Sequence, residues 1–255
     1  MNDSSTDIPT GKWTNDPNID PWKKVREMAI AFRAMPVPEA IKTDHICESQ
    51  SDVLRYIASR LAIFYKTRDK EPGVVRDDAT DDMHHFDVIG NAAARRPFIF
   101  DVIAPPSTTT EPSPQRENIR KMLDQSGQAA KDLERLAFTL DTLANGKEGQ
   151  DLSQLVIENP QSFCEMLFDQ DPKRTPLPDI INSAQPALDN AKQLFRQMVN
   201  VMNHRIKTGD IDNTIGQEQL AIHQAIVEVI PEISERIESL REVIYAKTGP
   251  DTKSK

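Results

Sequence analysis

The sequence predicts an all-α protein: an elongated antiparallel bundle of three long C-terminal helices, preceded by shorter helices and a disordered N-terminus. One observation is composition, because the 255 residues include only 9 glycines and 5% aromatic residues. Barrels and sandwiches need many tight turns, so few glycines disfavour them. The other observation is that apolar residues recur at alternating steps of three and four over long segments. This spacing is typical of one face of a helix.

Two short helices are predicted in the N-terminal part of the chain. Asp20 and Pro21 favour a helix start, because the aspartate accepts hydrogen bonds at the N-cap and proline at the first position needs no donor. Ser49 and Asp52 have the spacing of a capping box and predict a second start. The apolar faces of these helices are Trp22, Val25, Ala29 and Phe32 in the first, and Leu54, Ile57, Leu61 and Phe64 in the second.

The segment DDATDDMHHFDVIGNAAARRP, which follows these helices, contains a candidate metal site. Asp77, Asp78 and Asp81 fit the pattern DDxxD, which places carboxylate oxygens on one helix face, and such oxygens suit Mg²⁺. The pattern resembles the motif of isoprenoid diphosphate synthases and terpene cyclases. That resemblance implies a diphosphate site, with the arginine pair Arg95 and Arg96 as its anion ligands.

The same segment has a structural explanation as the two ends of one helix. His84 and His85 are adjacent, and His85 with Asp87 fits HxD, half of a two-histidine-one-carboxylate iron site. However, Thr80 can cap a helix whose first turn carries aspartates and whose last turn carries arginines, as the macrodipole favours. Pro97 then ends it. The sequence favours helix ends, so no metal, cofactor or catalytic residue is predicted.

A short motif occurs twice around this segment, as FDVIG at 86–90 and FDVIA at 100–104. The second copy lies between prolines and is rich in strand-forming residues. An isolated strand leaves its backbone polar groups unsatisfied. We therefore expect it to pair with another segment, pack on the bundle or bind a partner.

Three long helices are predicted in the C-terminal part, with two short ones between the first and second, starting at Asp151 and Asn159. Pro231 lies inside the third long pattern without a change of phase, which predicts one kinked helix rather than two. The first long helix is predicted to run from Ser113–Pro114 to Asn145–Gly146, and the second from about Pro178 to Lys207–Gly209. The third is predicted to begin at a capping box formed by Thr214 and Gln217 and to end at Gly249–Pro250. Their predicted core residues are Leu133, Leu136, Leu140 and Leu143; Ile181, Ala184, Leu188, Ala191, Phe195, Met198 and Met202; and Ile222, Ile226, Val229, Ile233, Ile237, Leu240 and Ile244.

Domain organisation follows from these patterns. The Pro/Ser/Thr-rich segment APPSTTTEPSPQ reads as a linker between two regions. The predicted division is a disordered tail at 1–19, an N-terminal helical region at 20–103, the linker at 104–115, the helical bundle at 113–249 and a disordered tail at 250–255.

The remaining histidines and the cysteines predict no site. HRIKTG, which begins at His204, resembles the H-x-L-K-G motif of histidine phosphotransfer domains, and the resemblance implies a phosphoryl-accepting histidine. His45 and His223 are isolated, and we expect His223 at the surface or boundary of its helix. Cys47 and Cys164 are too few for a disulfide framework and fit a reducing compartment.

The net charge of the chain disfavours some classes of binding partner. The net charge is −9 and the pI about 5.1, with no basic run longer than two residues, which disfavours nucleic acid and anionic membranes. No apolar run of bilayer length is present, and the first residues lack a signal-peptide layout. A cytoplasmic location is expected, with non-Sec secretion as the alternative.

These observations together predict a non-enzymatic protein–protein interaction protein, such as an adaptor, assembly factor or structural subunit. Its expected partners are other proteins, including a second copy of the chain through the C-terminal helices. The alternative functions are an all-α enzyme or phosphotransfer module with a metal site at Asp77, Asp78 and Asp81, or a secreted effector.

Overall fold

The fold is all-α, as predicted, in a computed structural model that describes residues 20–44, 47–67, 114–146, 151–152, 154–158, 173–209 and 213–245. Within these ranges the chain forms six helices and one small sheet. In chain order they are α1 (Pro21–Arg33), α2 (Glu39–Asp44), α3 (Gln50–Thr67), α4 (Pro114–Asn145), β1 (Val156–Glu158), β2 (Arg174–Pro176), α5 (Leu177–Thr208) and α6 (Asn213–Tyr245).

Both predicted N-terminal helix starts are confirmed by their capping hydrogen bonds. The Asp20 side chain accepts from the Trp22 amide at 3.1 Å, and Pro21 is the first residue of α1. The Ser49 amide donates to the Asp52 carboxylate at 3.0 Å, and the Asp52 amide lies 3.4 Å from the Ser49 hydroxyl oxygen. Partial burial acts to raise the pKa of Asp52, but the hydrogen bonds from Ser49 and Glu48 and the nearby Arg55 lower it overall.

α3 and α4 are antiparallel neighbours in close contact. Arg55, early in α3, pairs with Asp141 near the end of α4, whereas Tyr65 at the end of α3 lies over Gly127 in the first half of α4. A Cβ atom on Gly127 would lie 2.8 Å from the Tyr65 ring. A glycine inside a helix costs about 1 kcal/mol relative to alanine, and here its missing side chain permits the close approach.

The three long helices pack with their predicted apolar faces inward. Asn182 and the carbonyl of Pro178, at the start of α5, hydrogen-bond to the Tyr245 hydroxyl at the end of α6, at 2.6 and 3.3 Å. The short connection between α5 and α6 makes them antiparallel. The side-chain amide of Asn190 in α5 donates to the Met122 carbonyl of α4 at 3.0 Å. Every core residue predicted above for α4, α5 and α6 is buried.

The ends of the long helices agree with the prediction to within a few residues. Gly209 adopts a left-handed conformation with φ 70° after α5, and its amide bonds back to the last turn. α6 begins at Asn213, so Thr214 lies inside the helix and not at the N-cap where it was predicted. None of the described helices is long and apolar enough to cross a lipid bilayer.

The short helix predicted from Asp151 is wrong. The described residues there form a turn followed by β1, which pairs antiparallel with β2, Ile157 opposite Thr175. The Leu155 carbonyl then accepts the Leu177 amide at 2.8 Å. This pairing across the sequence satisfies the backbone that a helix would have satisfied locally. The helix predicted from Asn159, the two tails and the FDVI motifs lie outside the described residues.

α6 is one continuous helix through Pro231 and not two, as predicted, and α5 likewise continues through Pro186. The kink at Pro231 stays a prediction. Because proline lacks an amide donor and crowds the preceding turn, each proline costs about 3 kcal/mol in a straight helix. Pro231→Ala restores the hydrogen bond to the Val227 carbonyl. We expect the free energy of unfolding to rise by up to about 3 kcal/mol, and the urea midpoint to move to a higher concentration. Gln224→Ala, an exposed change in the same helix, is the control, and an unchanged midpoint for Pro231→Ala contradicts the proposed cost.

Candidate functional site

A buried polar cluster lies where the end of α2 meets α3. Tyr56 and Arg60 are four residues apart on α3, so they share one helix face, and Asp44 ends α2. The Arg60 side chain is 2% exposed and the Asp44 side chain 23%. Arg60 Nε donates to the Tyr56 hydroxyl at 3.0 Å, and Arg60 Nη2 donates to an Asp44 carboxylate oxygen at 2.8 Å.

The cluster satisfies its own charges. The Tyr56 hydroxyl donates to the same Asp44 oxygen that accepts from Arg60. Burial raises the pKa of Tyr56; Arg60 opposes this and Asp44 adds to it, so the phenol remains protonated near neutral pH. The Arg60 guanidinium carbon lies 4.9 Å from the centre of the Tyr56 ring, within cation–π range. This arrangement ties Asp44, at the end of α2, to α3.

His223 on α6 is buried, which corrects the prediction that it lies at the surface or boundary. It is 3% exposed, and its ring centre lies 5.7 Å from that of Phe195 on α5. Burial, with the positive charge of Arg60 second, lowers the pKa of His223 to about 3. The prediction failed because α6 packs on α1 and α2 as well as on α5. Its buried stripe is therefore wider than the stripe that contact with one neighbouring helix would need.

Cys47, in the connection between α2 and α3, is a buried thiol. It is 6% exposed, and burial, followed by the negative charges of Asp52 and Asp44, raises its pKa to about 11. Because the thiolate is the reactive form of cysteine, this residue is a poor nucleophile at neutral pH.

A second ionic cluster joins α1, α3 and α4. The Asp141 carboxylate lies 3.1 Å from Arg33 of α1 and also pairs with Arg55 of α3. Arg26 of α1 donates to the Ala144 carbonyl at 3.3 Å. These contacts hold the N-terminal helix against the end of α4.

The outer side of α6 bears a row of exposed carboxylates, which we call the acidic face. It consists of Glu228, Glu232, Glu235, Glu238 and Glu242, all exposed. Their spacings of four, three, three and four residues place them on one side of the helix. The apolar stripe from Ile226 to Ile244 occupies the opposite side and is buried.

Positive charge near the acidic face is sparse among the described residues of α6. Arg241 contacts Glu238 at 3.2 Å, and both side chains are about half exposed. The other arginine of this helix, Arg236, is half-buried. The charges that α6 itself contributes along this row are therefore predominantly negative.

Most of the site candidates singled out in the sequence lie outside the described residues. These are Asp77, Asp78, Asp81, His84, His85, Asp87, Arg95, Arg96, His45 and Cys164. His204, of the phosphotransfer-like motif, is an exposed residue near the end of α5. In the described ranges, no three His, Cys, Asp or Glu side chains come together as a metal site.

Neither the Asp44–Arg60 cluster nor the acidic face was predicted from the sequence. Asp44 and Arg60 are 16 residues apart, and no sequence pattern indicates that they meet. The glutamates were visible in the sequence as a run at helical spacing, which was the available signal. Comparison of the chain with protein-family models, with curated proteins and with solved structures gives no significant match.

Proposed function

We propose that the chain is a non-enzymatic interaction protein that binds a basic protein surface through the acidic face of α6. The observation that carries the proposal is the row of five exposed glutamates along a helix whose opposite side is buried against its neighbours. A partner rich in lysine and arginine complements this charge.

The charges of the acidic face lower the stability of α6. Like charges three or four residues apart destabilise a helix by about 0.2–0.5 kcal/mol for each pair. Glu242 also lies in the last turn of α6, where the macrodipole disfavours negative charge. Because the packing of α6 uses only its opposite side, neither cost is needed for the fold. A role in binding accounts for both.

The packing of α6 presents this face in a fixed form. α6 contacts α5 along much of its length and also contacts α1 and α2, and its core residue Ile233 is fully buried. A surface that is ordered before binding loses little conformational entropy on association. Charge complementarity across such a surface raises the association rate and selects the partner.

The proposal is tested by affinity capture, in which the purified full chain is the bait and an extract of its source cells supplies the partners. The test variant changes the five glutamates of the acidic face to glutamine. The matched control changes five exposed glutamates elsewhere to glutamine: Glu27, Glu39, Glu48, Glu117 and Glu158. Both variants carry the same net charge, so general charge effects are equal.

We expect a partner that wild type and the control variant recover and that the test variant recovers at least about tenfold less. The loss corresponds to about 1.4 kcal/mol of binding free energy or more. If the test variant and the control variant recover the same partners, the acidic face has no role in binding them. If light scattering shows that the partner is a second copy of the chain, a basic partner is excluded.

A further inference from the structure

His223 lies at the meeting point of three helices. Its ring packs on Phe195 of α5, and Phe195 in turn packs on Phe64 of α3, with ring centres 5.7 and 5.6 Å apart. Arg60 is four residues before Phe64, on the same face of α3. The imidazole of α6 is 3% exposed and packs on α5, and its Nδ1 atom has no hydrogen-bond partner among the described residues.

The charged group that acts on this imidazole is Arg60. Asp44, the last residue of α2, is the carboxylate of the cluster, and it already accepts hydrogen bonds from Arg60 and from Tyr56. Phe195 contributes no charge from α5, and no described charged side chain of α1 shifts the pKa of His223. A proton added to His223 thus places a second positive charge beside Arg60 without an unpaired carboxylate to offset it.

We propose that His223 is an acid-sensitive joint, whose protonation releases the part of α6 around it from α2 and α5. Released α6 exposes its apolar stripe, including Ile222 and Ile226, for other contacts. The joint is independent of the acidic face, because the two lie on different sides of α6.

The pH range follows from the two protonation equilibria. The pKa of His223 is about 3 in the packed state, and its ordinary value of 6.5 applies once the imidazole is in water. Between these values only the released state binds the proton, so the packed state is fully favoured above pH 6.5 and weakened as the pH falls toward 3. At pH 4.5 the ratio of released to packed chain rises about 100-fold.

The test is hydrogen–deuterium exchange of the full chain at pH 7.5 and 4.5, corrected for the intrinsic exchange rates. We expect peptides from α2 and from α6 around His223 to lose about 100-fold of their protection at pH 4.5, while the centre of α4 keeps its own. His204→Leu, which removes the exposed histidine of α5, leaves this response unchanged. His223→Leu abolishes it.

A second measurement is independent of whether His223→Leu folds. In the wild-type chain, NMR of ¹³C-labelled histidine follows each imidazole through the titration. We expect His223 to remain neutral until α6 is released. Titration of His223 near pH 6.5 with α6 still protected overturns the proposal. An equal acid response in His223→Leu overturns it as well, as does a uniform loss of protection in every helix.

Discussion

Replacing Phe195 with alanine is expected to lower the free energy of unfolding by about 3–5 kcal/mol. Phe195 is fully buried and packs on both Phe64 and His223. The substitution removes a ring from the contact of three helices and leaves a cavity that neighbouring helices cannot fill by small shifts. Urea denaturation followed by far-UV circular dichroism measures the change.

The control for this prediction is Gln193→Ala, an exposed change two residues earlier in α5. It should alter the free energy of unfolding by no more than about 0.5 kcal/mol. A similarly small effect for Phe195→Ala would show that the seam between α5 and its neighbours is not the core of the fold.

Breaking the Asp44–Arg60 pair is expected to have an effect of similar size, with a defined asymmetry. Asp44→Ala leaves the Arg60 guanidinium, 2% exposed, without its carboxylate, and removal of one partner of a buried pair costs about 3–5 kcal/mol. Arg60→Met should cost less, because the Asp44 side chain is 23% exposed and water can solvate it.

A double-mutant cycle measures this pair directly. The combination of Asp44→Ala and Arg60→Met should destabilise the chain by clearly less than the sum of the single changes, because no uncompensated charge remains. Single changes that cost less than about 1 kcal/mol would instead identify an ordinary surface ion pair. In that case α2 would not be held by the cluster.

The sequence was most informative where one pattern extended over many residues. The seam from Ile181 to Met202 repeats often enough to identify both the helix and its buried face, and the structure confirms it. α2 has six residues, fewer than two turns, so periodicity could not reveal it. The strands β1 and β2 have three residues each and depend on pairing across the chain.

For the candidate sites, too, features that depend on residues close in sequence could be predicted, and features that depend on contacts between distant helices could not. The capping bonds of Asp20 and Ser49 join near neighbours in sequence and were predicted correctly. The burial of His223 depends on α1, α2 and α5 packing around α6, which no local pattern encodes. The meeting of Asp44 with Arg60 likewise requires α2 to turn back onto α3.

The most direct test of the interaction proposal is isothermal titration of the purified full chain with the purified captured partner, at low and high ionic strength. We predict measurable binding that weakens as salt rises, because exposed charges are screened over about 10 Å at 0.1 M salt. The variant in which the five glutamates of the acidic face are changed to glutamine should bind at least about tenfold more weakly, with a smaller salt dependence, while the matched control variant binds like wild type. Equal affinity and equal salt dependence in the two variants would contradict binding through the acidic face of α6.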